Sequence, residues 1–359
     1  MTTSQIKHTF FDALLIADAE RIHSQTLGWI LKLPEAVFTI ESKSSFLNRL
    51  FNLENAISIT YHFQVYTEVN QLDILLETDN YILIIENKLK SSEHTLQSLR
   101  YENSVPEKTK ASGKPIKGAI LSLISEKPKN ENWQILSYGK LLECLSSIAW
   151  NDNLKETVFV KEYQQTLNNL VISFDAFIDN HKQFDSVFND GVKSKQSKFR
   201  YDDEIKEYIR INQLETIFQK AFLRTIAEEN ELENYSIGES HGKALIQIFV
   251  TNIFFGETEY HLGFQSQGRS LKINLLLPKT KERHIMPVHL VESFRQSFSR
   301  KNGYKRFDKD KKNPYTSVSK TLPQPLYQMD KEEIGKAILN EITYIRGHSG
   351  NFEILLEQK

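Results

Sequence analysis

The chain has 359 residues, of which 40% are hydrophobic and 25% are charged, and its formal net charge is -1. This length exceeds what one hydrophobic core usually organises, and the composition excludes an intrinsically disordered chain. The near-zero net charge neither favours nor excludes a nucleic-acid partner, because cations gathered on one face are enough to bind phosphates.

The cysteine content and the apolar runs indicate where the protein works. Cys144 is the single cysteine, which excludes an intramolecular disulfide and a cysteine-rich zinc site. Its leucine-rich neighbourhood predicts a buried structural thiol rather than a nucleophile. The N-terminus lacks the layout of a secretory signal, and the longest apolar run, 82–85, is far too short to cross a bilayer. We therefore expect a cytoplasmic protein with no membrane partner.

The first 180 or so residues alternate between helical and strand-like patterns. The predicted elements are, in chain order, a helix over 12–33, strands over 57–68, 71–78 and 81–88, a helix over 91–103, a strand over 119–124, and helices over 138–149 and 155–180. The order of helix, three strands, helix and strand predicts an α/β fold.

The stretch over 185–200 is polar, basic and poor in large apolar residues, which predicts a linker. Beyond it the predicted elements are a helix over 202–231, strands over 244–254, 258–266 and 270–277, and helices over 286–300 and 331–346. We expect two domains, 1–184 and 201–359. The second is an α+β domain that recognises the substrate or a protein partner.

Two acidic residues stand at the ends of apolar strands in the first domain. A two-residue turn at Asp79-Asn80 would place Asp73 directly opposite Glu86 on the neighbouring strand. Opposed side chains have Cβ atoms about 4.5 to 5.5 Å apart. Two carboxylates at that separation repel each other unless a proton or a cation lies between them.

Lys88 lies two residues after Glu86, so the two side chains share a face of the strand while Asn87 turns away. Carboxylate oxygens suit Mg²⁺ or Mn²⁺, which would hold a scissile phosphate and activate a water. Lys88 would position or deprotonate that water, or stabilise developing charge, and burial beside a metal would depress its pKa. The alternative is an ordinary salt bridge at an exposed strand end.

The arrangement of Asp73, a hairpin and Glu86-Asn87-Lys88 resembles the PD-(D/E)XK nuclease superfamily, although Leu72 stands where the proline of the name would be. The resemblance covers about residues 12–125. Its further matching features are Glu20-Arg21-Ile22-His23-Ser24 on the first helix, and Glu93 and the pair Gln97 and Tyr101 on the next one.

This resemblance implies a restriction-endonuclease-like αβββαβ core and divalent-metal phosphodiester hydrolysis by Asp73, Glu86 and Lys88. It also implies that Glu20 joins Asp73 and Glu86 as a metal ligand, and that Gln97 and Tyr101 support the site.

Several of these residues have a simpler interpretation. Glu93, Gln97 and Tyr101 lie four residues apart and share a helix face, which is either a site face or a polar surface. Glu68 is either an extra metal ligand or an edge carboxylate. His23 and the serine after it diverge by about 100° on a helix, so they do not form a nucleophile and base pair.

A segment with cations and aromatic residues follows in the second half. Its residues Arg300, Lys301, Lys305 and Arg306 are candidates for nucleic-acid contacts, since cations track phosphates and aromatic rings stack on bases. The aspartates that follow dilute the charge, so a solvated loop is the alternative. The same two interpretations apply to the KSKQSKFR run at 193–200.

The resemblance implies a deoxyribonuclease; family precedent alone favours DNA over RNA, and analogy adds a role in defence against foreign DNA. The chain has no glycine-rich phosphate loop, so any ATP-driven step would come from another protein. Two alternatives stay open, a retired nuclease fold that acts as a nucleic-acid-binding or protein-interaction module, and a structural partner in a complex. Cutting both strands calls for two active sites, so we expect a homodimer.

Overall fold

The structure is a computed structural model, and it describes residues 6–17, 19–89, 97–123, 128, 130–190, 203–277, 286–299, 303–306 and 315–357. The chain forms two compact units. The first comprises Met1–Phe177 and Phe199–Ile217, and the second Ile178–Lys198 and Phe218–Lys359. The predicted domain boundaries themselves stay a prediction.

A five-stranded mixed sheet with flanking helices forms the first unit. Its strands are β1 (Gln64–Val69), β2 (Leu72–Glu77), β3 (Ile82–Lys88), β4 (Ile116–Ser122) and β5 (Trp133–Ser137). The helices up to residue 179 are α1 (Phe10–Ala13), α2 (Glu20–Lys32), α3 (Ile40–Phe51), α4 (Gln97–Ser104), α5 (Glu107–Lys110), α6 (Tyr138–Ser146) and α7 (Lys155–Asp179). The strands lie in the order β1 to β5, antiparallel from β1 to β3 and parallel from β3 to β5. This sheet and its helices confirm the predicted fold class.

The central strand β3 is covered on both faces, which explains its continuous apolar run. Ile82, Ile84, Ile120 and Trp133 belong to one buried cluster. Helix α2 packs on β1, β2 and β3. It approaches β1 closely at Gly28, where a Cβ atom would lie 2.2 Å from a methyl carbon of the neighbouring strand. The middle of α2 is thereby held next to β1.

The predicted helix over 12–33 is wrong in its first part, because α1 ends at Ala13 and α2 begins only at Glu20. Thr9 starts α1 with a capping box, and Leu15 takes a left-handed conformation with φ 56°. That conformation costs energy in a continuing helix of L-residues, so the chain turns between the two helices.

The predicted strand over 57–68 begins only at Gln64, because the residues before it fold around Asp79. The Asp79 carboxylate accepts the backbone N–H groups of Thr60, Tyr61 and His62 and the hydroxyl of Ser58. These hydrogen bonds replace a strand ladder, and they lower the pKa of Asp79.

Three elements of the first unit escape the sequence prediction, α3, α5 and β5. Thr39 caps α3 by accepting the Ser42 amide, and apolar residues at helical spacing, with Phe46 and Leu50 among them, are buried. Only part of β5 is buried, so its sequence carries a weak strand signal.

An antiparallel sheet of six strands forms the second unit. The strands are β6 (Tyr235–Ser240), β7 (Lys243–Phe255), β8 (Thr258–Gln267), β9 (Ser270–Leu276), β10 (Lys305–Arg306) and β11 (Tyr315–Thr321). The helices beyond residue 179 are α8 (Asp185–Asp190), α9 (Glu204–Ile211), α10 (Glu215–Glu229), α11 (Val288–Phe298) and α12 (Lys331–Glu357). The sheet order is β10-β11-β9-β8-β7-β6, and α11 and α12 pack on each other and on the sheet. The three predicted strands and the two predicted C-terminal helices are confirmed.

The structure differs from the prediction in three respects in this part of the chain. Residues 185–190, within the predicted linker, form α8, because Phe188 stacks on Tyr327 with ring centroids 4.4 Å apart. The rest of that linker lies outside the described residues. The predicted helix over 202–231 divides at Gln213, which has φ 53°. Strands β6, β10 and β11 were not predicted.

Cys144 is a buried free thiol, as the sequence predicts, and burial raises its pKa. Such a thiol is a poor nucleophile at neutral pH. Within the described ranges, each helix is too short or too polar to cross a bilayer.

Candidate active site at the end of strand β3

The β2–β3 hairpin brings Asp73 and Glu86 to the same end of the sheet. Across the turn, the backbone N–H of Thr78 donates to the carbonyl of Tyr81 at 2.9 Å. The ladder continues to the pair Ile74 and Ile85. One further step places Asp73 opposite Glu86, which confirms the predicted register of the hairpin.

Glu86 is the centre of a buried polar cluster and is 4% exposed. Its Oε1 atom accepts hydrogen bonds from Lys88 Nζ at 2.8 Å and from the Tyr101 hydroxyl at 2.6 Å. The Lys88 ammonium also lies 5.8 Å from the centroid of the Tyr101 ring. Glu86 Oε2 has no hydrogen-bond partner among the described residues. One oxygen of this buried carboxylate is therefore left for a ligand, since an unpaired buried oxygen is costly.

Asp73 completes the acidic pair. Its Oδ2 atom accepts the backbone N–H of Asn87 at 2.8 Å. Burial raises the pKa of Asp73, and the charge of Glu86 raises it further, to about 7, although the Asn87 amide and Lys88 act in the opposite direction. The pair thus carries the mutual repulsion that the sequence predicts, and a proton or a cation relieves it.

The charge of Lys88 follows from two opposed effects. Burial lowers the pKa of Lys88, but the Glu86 carboxylate beside it outweighs burial, so the pKa lies above its ordinary value. The predicted depression of this pKa applies to Lys88 beside a bound metal, and it stays a prediction. Burial, followed by the Glu86 charge, raises the pKa of Tyr101, so its hydroxyl stays a donor to Glu86.

Asn87 joins the sheet to α2 on the opposite face of β3, and its side chain is buried. Its Nδ2 atom donates to the Glu20 backbone carbonyl at 2.6 Å, and its Oδ1 atom accepts from the Tyr138 hydroxyl at the start of α6. The sequence predicts that Asn87 turns away from Lys88, but not that it holds the first turn of α2. An amide in a buried apolar strand is the signal that could have shown this.

Glu20 is half-buried at the first position of α2. Burial raises the pKa of Tyr138, and the charges of Tyr163, Glu20 and Asp73 raise it further. Glu20 and Asp73 therefore both lie close enough to Tyr138 for their charges to affect its pKa. Over the ranges that the structure covers, no three side chains of His, Cys, Asp or Glu form a ready-made metal site. The role of Glu20 as a ligand stays a prediction.

The other candidate site residues from the sequence are Gln97, Glu93 and Glu68, and the structure describes two of them. Gln97 is the first residue of α4, half-buried and one turn before Tyr101. Glu93 lies outside the described residues. Glu68 is exposed and lies 3.7 Å from exposed Arg21, and its charge makes a small contribution to the raised pKa of Asp73. Its two interpretations, as a metal ligand or an edge carboxylate, stay predictions.

His23 and Ser24 are buried structural residues of α2. The Nε2 atom of His23 donates to the Ala17 carbonyl at 2.8 Å, and its Nδ1 atom lies 3.2 Å from the Tyr163 hydroxyl. Ser24 donates to the Glu20 carbonyl one turn earlier at 3.1 Å. The two side chains have separate partners, as predicted.

The basic segment of the second half is described only in part. Lys305 is exposed on β10 and pairs with Ser319, and Arg306 follows it on the same strand. Arg300 and Lys301 lie outside the described residues, as does the run at 193–200. Their contact with nucleic acid stays a prediction.

Comparison with protein families matches residues 8–213 to the PD-(D/E)XK nuclease superfamily. The match covers more than half of the chain and extends past the strands of the first sheet to α9. Comparisons with curated proteins and with solved structures gave no match. The hairpin carrying Asp73, Glu86 and Lys88 lies within the matched segment, and the chain belongs to the PD-(D/E)XK nuclease superfamily.

Proposed function

We propose that this protein is a metal-dependent nuclease that hydrolyses phosphodiester bonds, with DNA as its substrate. Membership in a nuclease superfamily supports the class of reaction. The observation that carries the proposal is the state of Glu86. One oxygen of this buried carboxylate is held by Lys88 and Tyr101, while the other has no partner among the described residues.

The residues at this end of the sheet fit a divalent cation. Carboxylate oxygens are the ligands that Mg²⁺ and Mn²⁺ prefer. Burial and then the charge of Glu86 raise the pKa of Asp73, and a cation between the two carboxylates would offset both effects. We assign Asp73 and Glu86 as ligands and Glu20 as a further one. When bound, the cation would polarise the scissile phosphate and offset the charge that develops on the leaving oxygen.

Lys88 supplies a fixed positive charge next to the ligands. Because its pKa is raised, it stays an ammonium group and donates to a phosphate oxygen as negative charge builds up there. This role replaces that of a base that removes a proton from water. The Tyr101 hydroxyl keeps Glu86 oriented, since it donates to the same carboxylate oxygen as Lys88.

The proposal is tested with the purified chain and four substrates: plasmid DNA, linear duplex DNA, single-stranded DNA and RNA. We expect cleavage of DNA with Mg²⁺ or Mn²⁺, none with EDTA, and none by Asp73→Ala. Cleavage of RNA and of no DNA substrate would change the proposed substrate from DNA to RNA. Equal cleavage by the parent and Asp73→Ala, or cleavage in EDTA, would remove the site assignment.

Asn87 is expected to act as a positioning residue. Replacing Asn87 with alanine removes its bonds to the Glu20 carbonyl at the start of α2 and to the Tyr138 hydroxyl at the start of α6. These bonds tie both helices to the end of β3 that carries Glu86. Loss of a residue that orients metal ligands without binding the metal typically lowers metal affinity about 10- to 100-fold. We therefore expect Mn²⁺ affinity and cleavage rate to fall together by about that factor. Calorimetry measures the affinity and single-turnover cleavage the rate.

Asn169→Ala is the matched control for this variant. Asn169 is a buried asparagine of the same unit that donates to the Lys7 carbonyl at 2.7 Å, away from the acidic pair. Its loss should lower the melting temperature while leaving Mn²⁺ affinity unchanged. The same Mn²⁺ affinity in both variants and the parent would show that Asn87 only stabilises the fold.

A further inference from the structure

The sheet of the second unit has one apolar face and one polar face. Alternate residues of its central strands, such as Ile246, Phe264 and Ile273, are buried on the apolar face. The residues between them project to the other side. The registers of six strands join one row across that side: Ser236, Gln247, Gln265, Lys272, Ser319 and Lys305. Members of this row are half-buried or exposed, and we call this side the open face.

An amide bridge crosses the middle of the open face. Gln247 on β7 and Asn274 on β9 donate to each other at 3.1 Å, above the strand that lies between them. Gly263 makes this possible, because a Cβ atom there would lie 2.9 Å from the Gln247 amide and 3.1 Å from the Asn274 oxygen. The bridge gives the face a flat polar floor.

A shallow groove with about 690 Å³ of space lies on the same face, where a β-bulge follows Phe249. The rings of Phe249 and His261 meet edge to face beside it, with centroids 4.3 Å apart. Asn234, Ser236 and Asn252 contribute amides and a hydroxyl to the lining, in which the described residues include no carboxylate. Aromatic surface and neutral hydrogen-bonding groups therefore meet in one place.

The charges on the open face favour an anion. Lys272 and Lys305 lie on the row that crosses the sheet, two strands apart. Glu259 stands on the same side of β8, toward the opposite end of the strand beside exposed Phe254. Among the described residues, the row itself carries no acidic side chain.

We infer that the open face binds a single-stranded segment of nucleic acid, with bases against Phe249 and His261 and the phosphate backbone along Lys272 and Lys305. Single-strand sites combine these features, since aromatic rings stack on bases of any sequence and cations track the backbone. Amides and hydroxyls bond the exposed edges of unpaired bases, which a duplex hides. The inference rests on the proposed function, because it takes nucleic acid as the substrate class.

Binding is measured by fluorescence anisotropy in EDTA, with a labelled DNA strand of about 20 nucleotides and the matching duplex. Working without metal separates this test from cleavage, so either proposal can fail alone. We expect Lys272→Glu and Phe249→Ala each to weaken single-strand binding about tenfold, and duplex binding by less than about twofold.

Lys336→Glu is the matched control, because it makes the same charge change on exposed Lys336 of α12, away from the sheet face. Its single-strand affinity should stay within about twofold of the parent at fixed salt. Equal losses of single-strand affinity in Lys272→Glu and Lys336→Glu would mean that the effect comes from the change in net charge alone, and would overturn the inference. Unchanged single-strand affinity in both open-face variants would also overturn the inference, and it is the result expected if the face binds a peptide instead. An equal loss of affinity for duplex DNA would overturn it as well. Melting temperatures check that each variant is folded.

Discussion

Replacing Lys88 with alanine is expected to lower the single-turnover rate of DNA cleavage by about 10²- to 10³-fold, the usual effect of removing one donor aimed at developing charge. The side chain is 13% exposed and lies 2.8 Å from Glu86, so water replaces its ammonium group poorly. The raised pKa of Lys88 keeps that group charged across the neutral range. The measurement is the rate at saturating protein and Mg²⁺, so that changes in DNA affinity do not contribute.

Lys117→Ala is the control for this variant, since Lys117 lies on the neighbouring strand β4 and donates to Asn132 at 2.9 Å. Its cleavage rate should stay within about twofold of the parent. Lys88→Ala also leaves Glu86 without its cationic partner, so thermal denaturation must show a folded protein at the assay temperature. A folded Lys88→Ala protein that cleaves at the parent rate would contradict the assignment of Lys88.

The hairpin at the site is predictable from the sequence because local chemistry determines it. A two-residue turn at Asp79-Asn80 sets the register, and the strand period of two then places Asp73 opposite Glu86 and Lys88 beside it. These steps need only the residues from 73 to 88. The same local argument places the three antiparallel strands of the second unit.

Contacts between distant residues could not be derived in this way. Asn87 bonds to the backbone of Glu20, 67 positions away, and Asp79 organises a loop some 20 residues before it. No spacing rule connects such groups, so the start of β1 was predicted too early. The pKa of Lys88 in the metal-free protein could not be derived from the sequence for a related reason, since it depends on whether burial or Glu86 has the larger effect.

Asp73→Asn is expected to stabilise the metal-free protein at pH 8 while abolishing cleavage. The pKa of Asp73 is about 7 in the folded chain, against an ordinary value of 3.8. Between these two pH values the folded state holds a proton that the unfolded state has released, so stability falls as the pH rises and the loss is complete above about pH 7. A neutral asparagine removes this loss.

The size of the effect follows from the shift of about three pKa units, which sets a limit of about 4 kcal/mol. Asp73 is only half-buried, and we reduce the expected gain to about 2 kcal/mol, or about 5 °C in melting temperature. At pH 5 Asp73 is largely protonated in the parent, so the difference should be smaller. Thermal denaturation in EDTA at pH 5 and pH 8 measures both values.

Two comparisons make this prediction specific to the acidic pair. Asp152→Asn removes an exposed carboxylate that is paired with Lys161, and it should give no stabilisation at either pH. Excess Mg²⁺ should raise the melting temperature of the parent, because a cation that binds only the folded state stabilises it, and should raise that of Asp73→Asn much less. A gain in Asp73→Asn that is equal at pH 5 and pH 8 would mean that burial and the Glu86 charge together do not raise the pKa of Asp73. The buried pair of negative charges, on which the proposed metal site depends, would then be absent.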